Sequence, residues 1–193
     1  MTEASTPTIS RCSWGSGDPE MQLYHDTVWG TPQRDATTLF EFLTLEGAQA
    51  GLSWRTILLR RDGYLRVFDG FDVERIAAYT DADVARCLND PGIIRNRAKV
   101  ESTVGNAQAW LALDDPVGFV WSFVDGVPVQ NQWSGMGQVP AFTETSDRMS
   151  KAMKKLGFRF VGTTILYAYM QACGLVNDHV VTCFRHRECA ELG

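Results

Sequence analysis

Residues 35–50 read DATTLFEFLTLEGAQA, and this stretch decides the fold class. Asp35 stands just ahead of TTLFEFL, where its side chain can accept from the free amides of a first helical turn, so a helix starts here. Inside that helix Glu46 has Phe42, Leu43 and Ala50 at i−4, i−3 and i+4, which sets its carboxylate on a face shared with apolar side chains. The same punctuation recurs outward along the chain. Asp72 precedes VERIAAY, Thr80 is followed three residues later by Asp83 in the pattern of a capping box, and Asp115 precedes Pro116. Ser146 precedes DRMSKAMKK with Gly157 as the closing residue, and Thr163 precedes TILYAYMQA with Gly174 closing it. Strand signals are scarce, so the sequence predicts an all-α protein. Residues 125–145, rich in Gly, Pro and Gln, are expected to form a long surface loop between helices.

Residues 1–10 are small and polar without apolar periodicity, and are expected to be a flexible tail. Residues 11–193 then form the folded unit, one domain or two small helical lobes. The composition, 45% hydrophobic and 21% charged, suffices for a core without a disulfide framework. No apolar run is long enough to span a membrane, and the first residues lack the basic and apolar regions of a secretion signal, so a cytoplasmic protein is expected. The formal net charge of −5 offers no general attraction for nucleic acid, and any such face must be a local basic patch.

The cysteines are Cys12, Cys87, Cys173, Cys183 and Cys189, an odd number that argues for free thiols or metal ligands. Cys12 and His25 lie near one end of the chain and His179 and Cys183 near the other. In HVVTC the last two are four apart, which on a helix places both on one face. Two sulfurs and two imidazoles complete a tetrahedron with no open position, the signature of a structural zinc, here tying the two ends together. A second set, His179, Cys183, His186 and Cys189, has ligands of the same chemistry without the N-terminus, and buried thiols with surface histidines are a plainer alternative. Spacing alone leaves these open.

Four longer stretches go further: RCSWGSGDPEMQLYHDTVWG (11–30), LEGAQAGLSW (45–54), DPGIIRNRAKV (90–100) and KKLGFRFVGTTILYAYMQACGLVNDHVV (154–181). Together, in this order and spacing from about Arg11 to Cys183, they resemble the bacterial 3-methyladenine DNA glycosylase I family. The resemblance implies a helix-hairpin-helix glycosylase fold without the catalytic aspartate usual in that superfamily. It implies one structural zinc per chain on Cys12, His25, His179 and Cys183, which favours the end-to-end set. It also implies a monofunctional enzyme of base excision repair that flips 3-methyladenine out of alkylated double-stranded DNA and hydrolyses its N-glycosidic bond, leaving an abasic site. No obligatory protein partner is evident.

Under that resemblance Glu46 and Tyr24 are the catalytic candidates, and Glu46, Tyr24, Trp29, Trp54 and Trp14 the base-binding ones. The damaged base is flat, cationic and bears an exocyclic amino group, so an ionised Glu46 supplies opposite charge and an acceptor while aromatic faces attract the cation. Methylation also makes the base a better leaving group, so selective binding can replace strong acid catalysis. Met21 stands where relatives carry an aromatic. In DPGIIRNRAKV the Pro91–Gly92 turn resembles a DNA-gripping hairpin whose amides suit a phosphate, with Arg95, Arg97 and Lys99 adding positive charge. Gly51 and Leu52 are expected to press into the gap left by the flipped nucleotide, whereas Lys151, Lys154 and Lys155 read as a solvated helix face. Two other readings fit the same residues: a non-catalytic, zinc-stapled sensor of alkylated bases, and a glycosylase of broader base choice.

Overall fold

A computed structural model describes residues 9–193, so residues 1–8 of the expected tail lie outside the described residues. Among these, eleven α-helices carry the chain: α1 (Pro19–Thr27), α2 (Ala36–Gln49), α3 (Trp54–Leu58), α4 (Arg61–Val67), α5 (Val73–Ala77), α6 (Asp81–Asn89), α7 (Arg97–Leu111), α8 (Pro116–Trp121), α9 (Glu144–Lys155), α10 (Thr163–Ala172) and α11 (Phe184–Glu191). One parallel two-residue pair joins β1 (Val129–Gln130) to β2 (Val176–Asn177), with Val129 beside Val176.

Helix α2 sits in the middle because its sequence is apolar on nearly every side. Every residue from Leu39 to Ala48 is buried, including Glu41 and Glu46, and α3, α7, α8 and α10 pack around it. Its start is as expected: the Asp35 carboxylate accepts from the Thr38 amide. Asp72 and Asp115 likewise cap α5 and α8, and Thr80 with Asp83 forms a capping box on α6. Gly157 and Gly174 hold φ of 92° and 69° just past α9 and α10, the left-handed conformation that closes a helix. At Gly174 a Cβ would also fall 2.4 Å from the Pro32 nitrogen, so no side chain fits there.

Two helix starts differ from the reading of the sequence. Thr143, not Ser146, is the N-cap of α9, and the Ser146 hydroxyl reaches back to the Thr143 amide, so Ser146 is the third residue of a reciprocal capping box. Thr163 is the first residue of α10, with Gly162 as its cap. Residues 125–145 also depart from a plain loop. They include β1 and the first residues of α9, and their side chains are fastened inward by the buried Asp178.

Candidate active site and metal centre

A group that could hold a metal is assembled from both ends of the described chain. Cys12, His25, His179 and Cys183 are all buried, and their ligand atoms lie within 4.8 Å of one another. Cys12 Sγ is 3.6 Å from His179 Nδ1, and Cys183 Sγ is 3.5 Å from both His25 Nε2 and His179 Nδ1. Bond lengths of about 2.3 Å to sulfur and 2.0–2.1 Å to nitrogen, at tetrahedral angles, put a sulfur and a nitrogen about 3.5 Å apart, so the group has the dimensions of one zinc ion's shell. The outer nitrogens are committed in the way such a shell requires. His25 Nδ1 faces Asp26 Oδ1 at 2.8 Å and His179 Nε2 faces the Trp29 carbonyl at 3.0 Å, which leaves His25 Nε2 and His179 Nδ1 as lone pairs for a metal. Arg11 in turn grips Asp26 through two nitrogens. The Cys12 thiol, hydrogen-bonding to Cys183, holds the Cys183 thiol far down toward thiolate, and the two imidazoles assist.

The spacing argument for His179 and Cys183 fails in one respect. Residues 179–183 are not helical; they form the turn that leads into α11, with Cys183 as its N-cap. The two ligands converge through that turn, with the Cys183 amide donating to the Val180 carbonyl. His186 and Cys189 of the alternative set stay outside the group, and His186 Nε2 meets the Asn131 carbonyl instead.

Against this centre lies a cavity of about 410 Å³ lined by Trp14, Met21, Tyr24, Trp29, Glu46, Gln49, Trp54, Met136, Val139, Pro140, Ala168 and Gln171. All four aromatic residues expected at the pocket are on its wall, with Glu46 among them. The rings brace one another: Tyr24 and Trp54 centroids are 5.3 Å apart, Trp14 meets Trp29 edge-on at 5.0 Å, and Trp29 meets His179 edge-on at 4.6 Å. His179 of the candidate metal group thus supports the aromatic wall directly.

Helix α2 carries two buried carboxylates with opposite arrangements. Glu41 accepts a two-pronged pair from Arg61 and is neutralised by it. Glu46, only 3% exposed, has no hydrogen bond to Oε2 among the described residues, and burial pushes its carboxyl up to about 8. Among the described residues it joins no ion pair, so burial favours its protonated form, and a cation entering the cavity would hold it ionised. Burial, and next the Glu46 charge, hold the Tyr24 phenol well above its ordinary value, which keeps it a donor. On the same cavity Trp54 Nε1 is also buried and has no partner among the described residues.

The end of α2 leads straight to Gly51 and Leu52. Gly51 holds φ 79°, which favours glycine, and Leu52 projects with 40% of its surface exposed. Between α6 and α7, residues 90–96 make the expected turn. Gly63 Cα is 3.2 Å from a Cβ built on Gly92, so α4 and the hairpin touch backbone to backbone. Not every amide of that turn is free: Gly92 N–H donates to Asp90 Oδ1 and the Lys99 amide to Asn96 Oδ1. Arg95 and Arg97 are exposed, Arg97 beside Glu101 at 3.3 Å. Lys99 behaves differently. Its ammonium donates to the Ala48 and Ala50 carbonyls at 2.7 and 2.8 Å and so ties α7 to the last turn of α2. Lys151, Lys154 and Lys155 lie on the exposed face of α9, as expected.

A profile of the family described as methyladenine glycosylase matches residues 14–186. The chain belongs to the methyladenine glycosylase family. Its relatives include DNA-3-methyladenine glycosylase 1 of Escherichia coli (strain K12), 50% identical over 179 residues that cover 91% of this chain and 96% of that protein. The crystal structure of a 3-methyladenine DNA glycosylase I superposes with a TM-score of 0.89 at 51% identity, covering 91% of this chain and 98% of the other. A tyrosine-to-phenylalanine variant of a 3-methyladenine DNA glycosylase I, in complex with 3-methyladenine, superposes with a TM-score of 0.87 at 35% identity, covering 90% and 96%.

Sequence reasoning missed Gln49, Ala168, Gln171, Met136, Val139 and Pro140 on the cavity wall. Gln171 was within reach, because it lies four residues after Tyr167 and so shares a face with it in the helix expected after Thr163. Met136, Val139 and Pro140, on the strap that follows β1, were not, since Asn131 and Trp133 fasten that strap to Asp178, forty-five or more residues away.

Proposed function

We propose that the chain is a monofunctional DNA-3-methyladenine glycosylase of base excision repair. One observation carries the site assignment: an unpartnered, buried carboxylate, Glu46, on a cavity walled by four aromatic side chains. A 3-methyladenine nucleotide in duplex DNA is a flat cation with an exocyclic amino group. It supplies the charge that Glu46 lacks, and the aromatic faces of Tyr24, Trp54, Trp14 and Trp29 each add roughly 0.5–2 kcal/mol for a desolvated cation. Neutral adenine receives neither contribution, so the site discriminates by charge as well as by shape.

Once the base is seated, the bond from its ring nitrogen to the sugar carbon breaks. The electron pair stays with the base, which leaves neutral, and water adds to the sugar carbon and loses a proton, giving an abasic site. Because the base departs readily, the role of Glu46 and Tyr24 is to hold and orient it rather than to protonate it strongly. A non-catalytic sensor of alkylated bases would use the same carboxylate to recognise the base, so it is release of the base that separates the two readings.

Residues 90–99 act as a DNA-gripping helix-hairpin-helix in this reading, with Arg95 and Arg97 facing phosphates. Leu52, lifted by the turn at Gly51, fills the gap in the duplex. Lys99 anchors that wedge to the hairpin rather than binding phosphate itself. Cys12, His25, His179 and Cys183 would hold one zinc, which supplies cross-linking of the chain ends and, with four protein ligands, no open position for chemistry. We read residues 11–193 as one glycosylase unit acting in the cytoplasm, where cysteines that form no disulfide are at home.

The test is incubation with methylated duplex DNA and chromatography of the released bases. Release of 3-methyladenine with equal numbers of abasic sites supports the reading; tight binding without release supports the sensor instead.

A further inference from the structure

Asp178 is fully buried and accepts four hydrogen bonds, each 2.7 Å long. Asn131 Nδ2 and Trp133 Nε1 donate to Oδ1, and Tyr167 OH and Gln171 Nε2 donate to Oδ2. A carboxylate has about four lone-pair sites, and all are filled. Four neutral donors therefore carry a buried charge that has no ion-pair partner among the described residues. Two of them come from the strap that bears Met136, Val139 and Pro140, and two from α10. One of the α10 donors, Gln171, itself lines the base cavity.

This arrangement fixes the polarity of an amide. Asp178 can only accept, so Gln171 must turn its nitrogen toward it; the flipped amide would set oxygen against carboxylate. Among the described residues the bond to Asp178 is the only side-chain hydrogen bond of Gln171, and Oε1 has no partner. Gln49, on the same cavity, has no side-chain hydrogen bond among the described residues and can present either end of its amide. Of the two glutamines, only Gln171 has an assigned polarity.

We propose that Asp178 locks Gln171 as an obligatory hydrogen-bond acceptor in the base cavity, and that this pair selects methylated purines with an amino group at position six over those with a carbonyl there. The proposal rests on the reading of the cavity as the base pocket. An adenine amino group has two N–H bonds; Glu46 takes one and Gln171 Oε1 the other. A guanine presents an oxygen at that position. Gln171 cannot rotate to donate to it without abandoning Asp178, so oxygen faces oxygen and one acceptor stays unsatisfied. Sites built around a substrate N–H reject an analogue that lacks it more strongly than apolar pockets reject a change of size. Gln171 is the specificity residue and Asp178 a positioning residue that acts through it.

The experiment uses duplex DNA treated with a methylating agent so that it carries both 3-methyladenine and 3-methylguanine. Single-turnover release of each base is measured for the wild-type protein, Gln171→Met and Asp178→Asn, with a thermal melt of each preparation. The wild type should release 3-methyladenine in strong preference, and Gln171→Met should lower the ratio of the two rates about tenfold. Asp178→Asn, whose amide can either donate to or accept from Gln171, should lower it too. Should Asp178→Asn not fold, Gln171→Met decides alone. A ratio unchanged in Gln171→Met, with both rates falling together, would mean that Gln171 only packs and would overturn the proposal. Wild-type release of neither base overturns the glycosylase reading and the proposal with it, and is recognised before any variant is compared.

Discussion

Glu46→Gln removes the unpaired ionisable carboxyl on α2 while keeping the shape of the side chain and one acceptor. Burial raises the carboxyl of Glu46 from 4.5 to about 8, so in the free protein near neutral pH it is mostly protonated. At about 1.4 kcal/mol per pH unit, this shift lowers stability by on the order of 5 kcal/mol at high pH, where the group is ionised, and by on the order of 3 kcal/mol at pH 7, where the folded protein protonates it instead. The native value lies above the unfolded one for an acid, so stability is greatest below about pH 4.5 and falls as pH rises from there toward 8. The Gln variant escapes that loss. Its Tm should match the parent near pH 4.5 and exceed it at pH 7–8, by roughly 2–4 °C for each kcal/mol recovered. Activity should move the other way. Loss of the charge-assisted contact to a cationic base costs roughly 1–3 kcal/mol, about tenfold to a hundredfold in single-turnover release of 3-methyladenine. The wild type should also bind the damaged site more tightly as pH rises to about 8, where Glu46 ionises without help, and the Gln variant should lose that dependence. A Gln variant that releases base at the wild-type rate, or that melts lower at pH 7, would refute the reasoning: the first denies the contact and the second makes Glu46 a structural ion-pair member.

Three further outcomes follow from the same geometry. Elemental analysis should find one zinc per chain, and Cys183→Ser should lose it and melt well below the parent while Cys189→Ser keeps it; the opposite pattern would restore the C-terminal ligand set. Arg95→Ala should weaken damaged and undamaged duplex alike and flatten the plot of log affinity against log salt by about 0.9, whereas Lys99→Ala, whose ammonium is committed to Ala48 and Ala50, should leave that slope in place and lower Tm instead; a reduced slope for Lys99→Ala would return it to the phosphates. Leu52→Ala should slow base release from duplex DNA while leaving binding of free 3-methyladenine within about twofold; equal loss in both assays would move Leu52 from the wedge to the pocket.

Much of the fold was legible because it rests on local chemistry. An aspartate before an apolar run caps a helix wherever the run later packs, so Asp35, Asp72 and Asp115 were found from neighbours a few residues away. Ser146 misled because a reciprocal capping box places a hydroxyl at both of its ends, and the sequence does not say which end is the cap. The aromatic and carboxylate residues of the cavity were legible through the family resemblance and the pattern around Glu46. Lys99 was not: its charge suggested a phosphate, while its partners are carbonyls about fifty residues earlier in the chain. The role of Asp178 was equally hidden, since four donors from two separate elements meet only after folding. The convergence of His179 and Cys183 was anticipated for the wrong reason, a turn taking the place of a helical repeat.

The most direct test of the account is a crystal structure of the protein with 3-methyladenine bound. The base should lie in the cavity between Tyr24, Trp54 and Trp14, with its exocyclic amino group within hydrogen-bond distance of Glu46. A base seated anywhere else, or one in this cavity with Glu46 turned away to another partner, would contradict the claim that this orphaned carboxylate reads the damaged nucleotide.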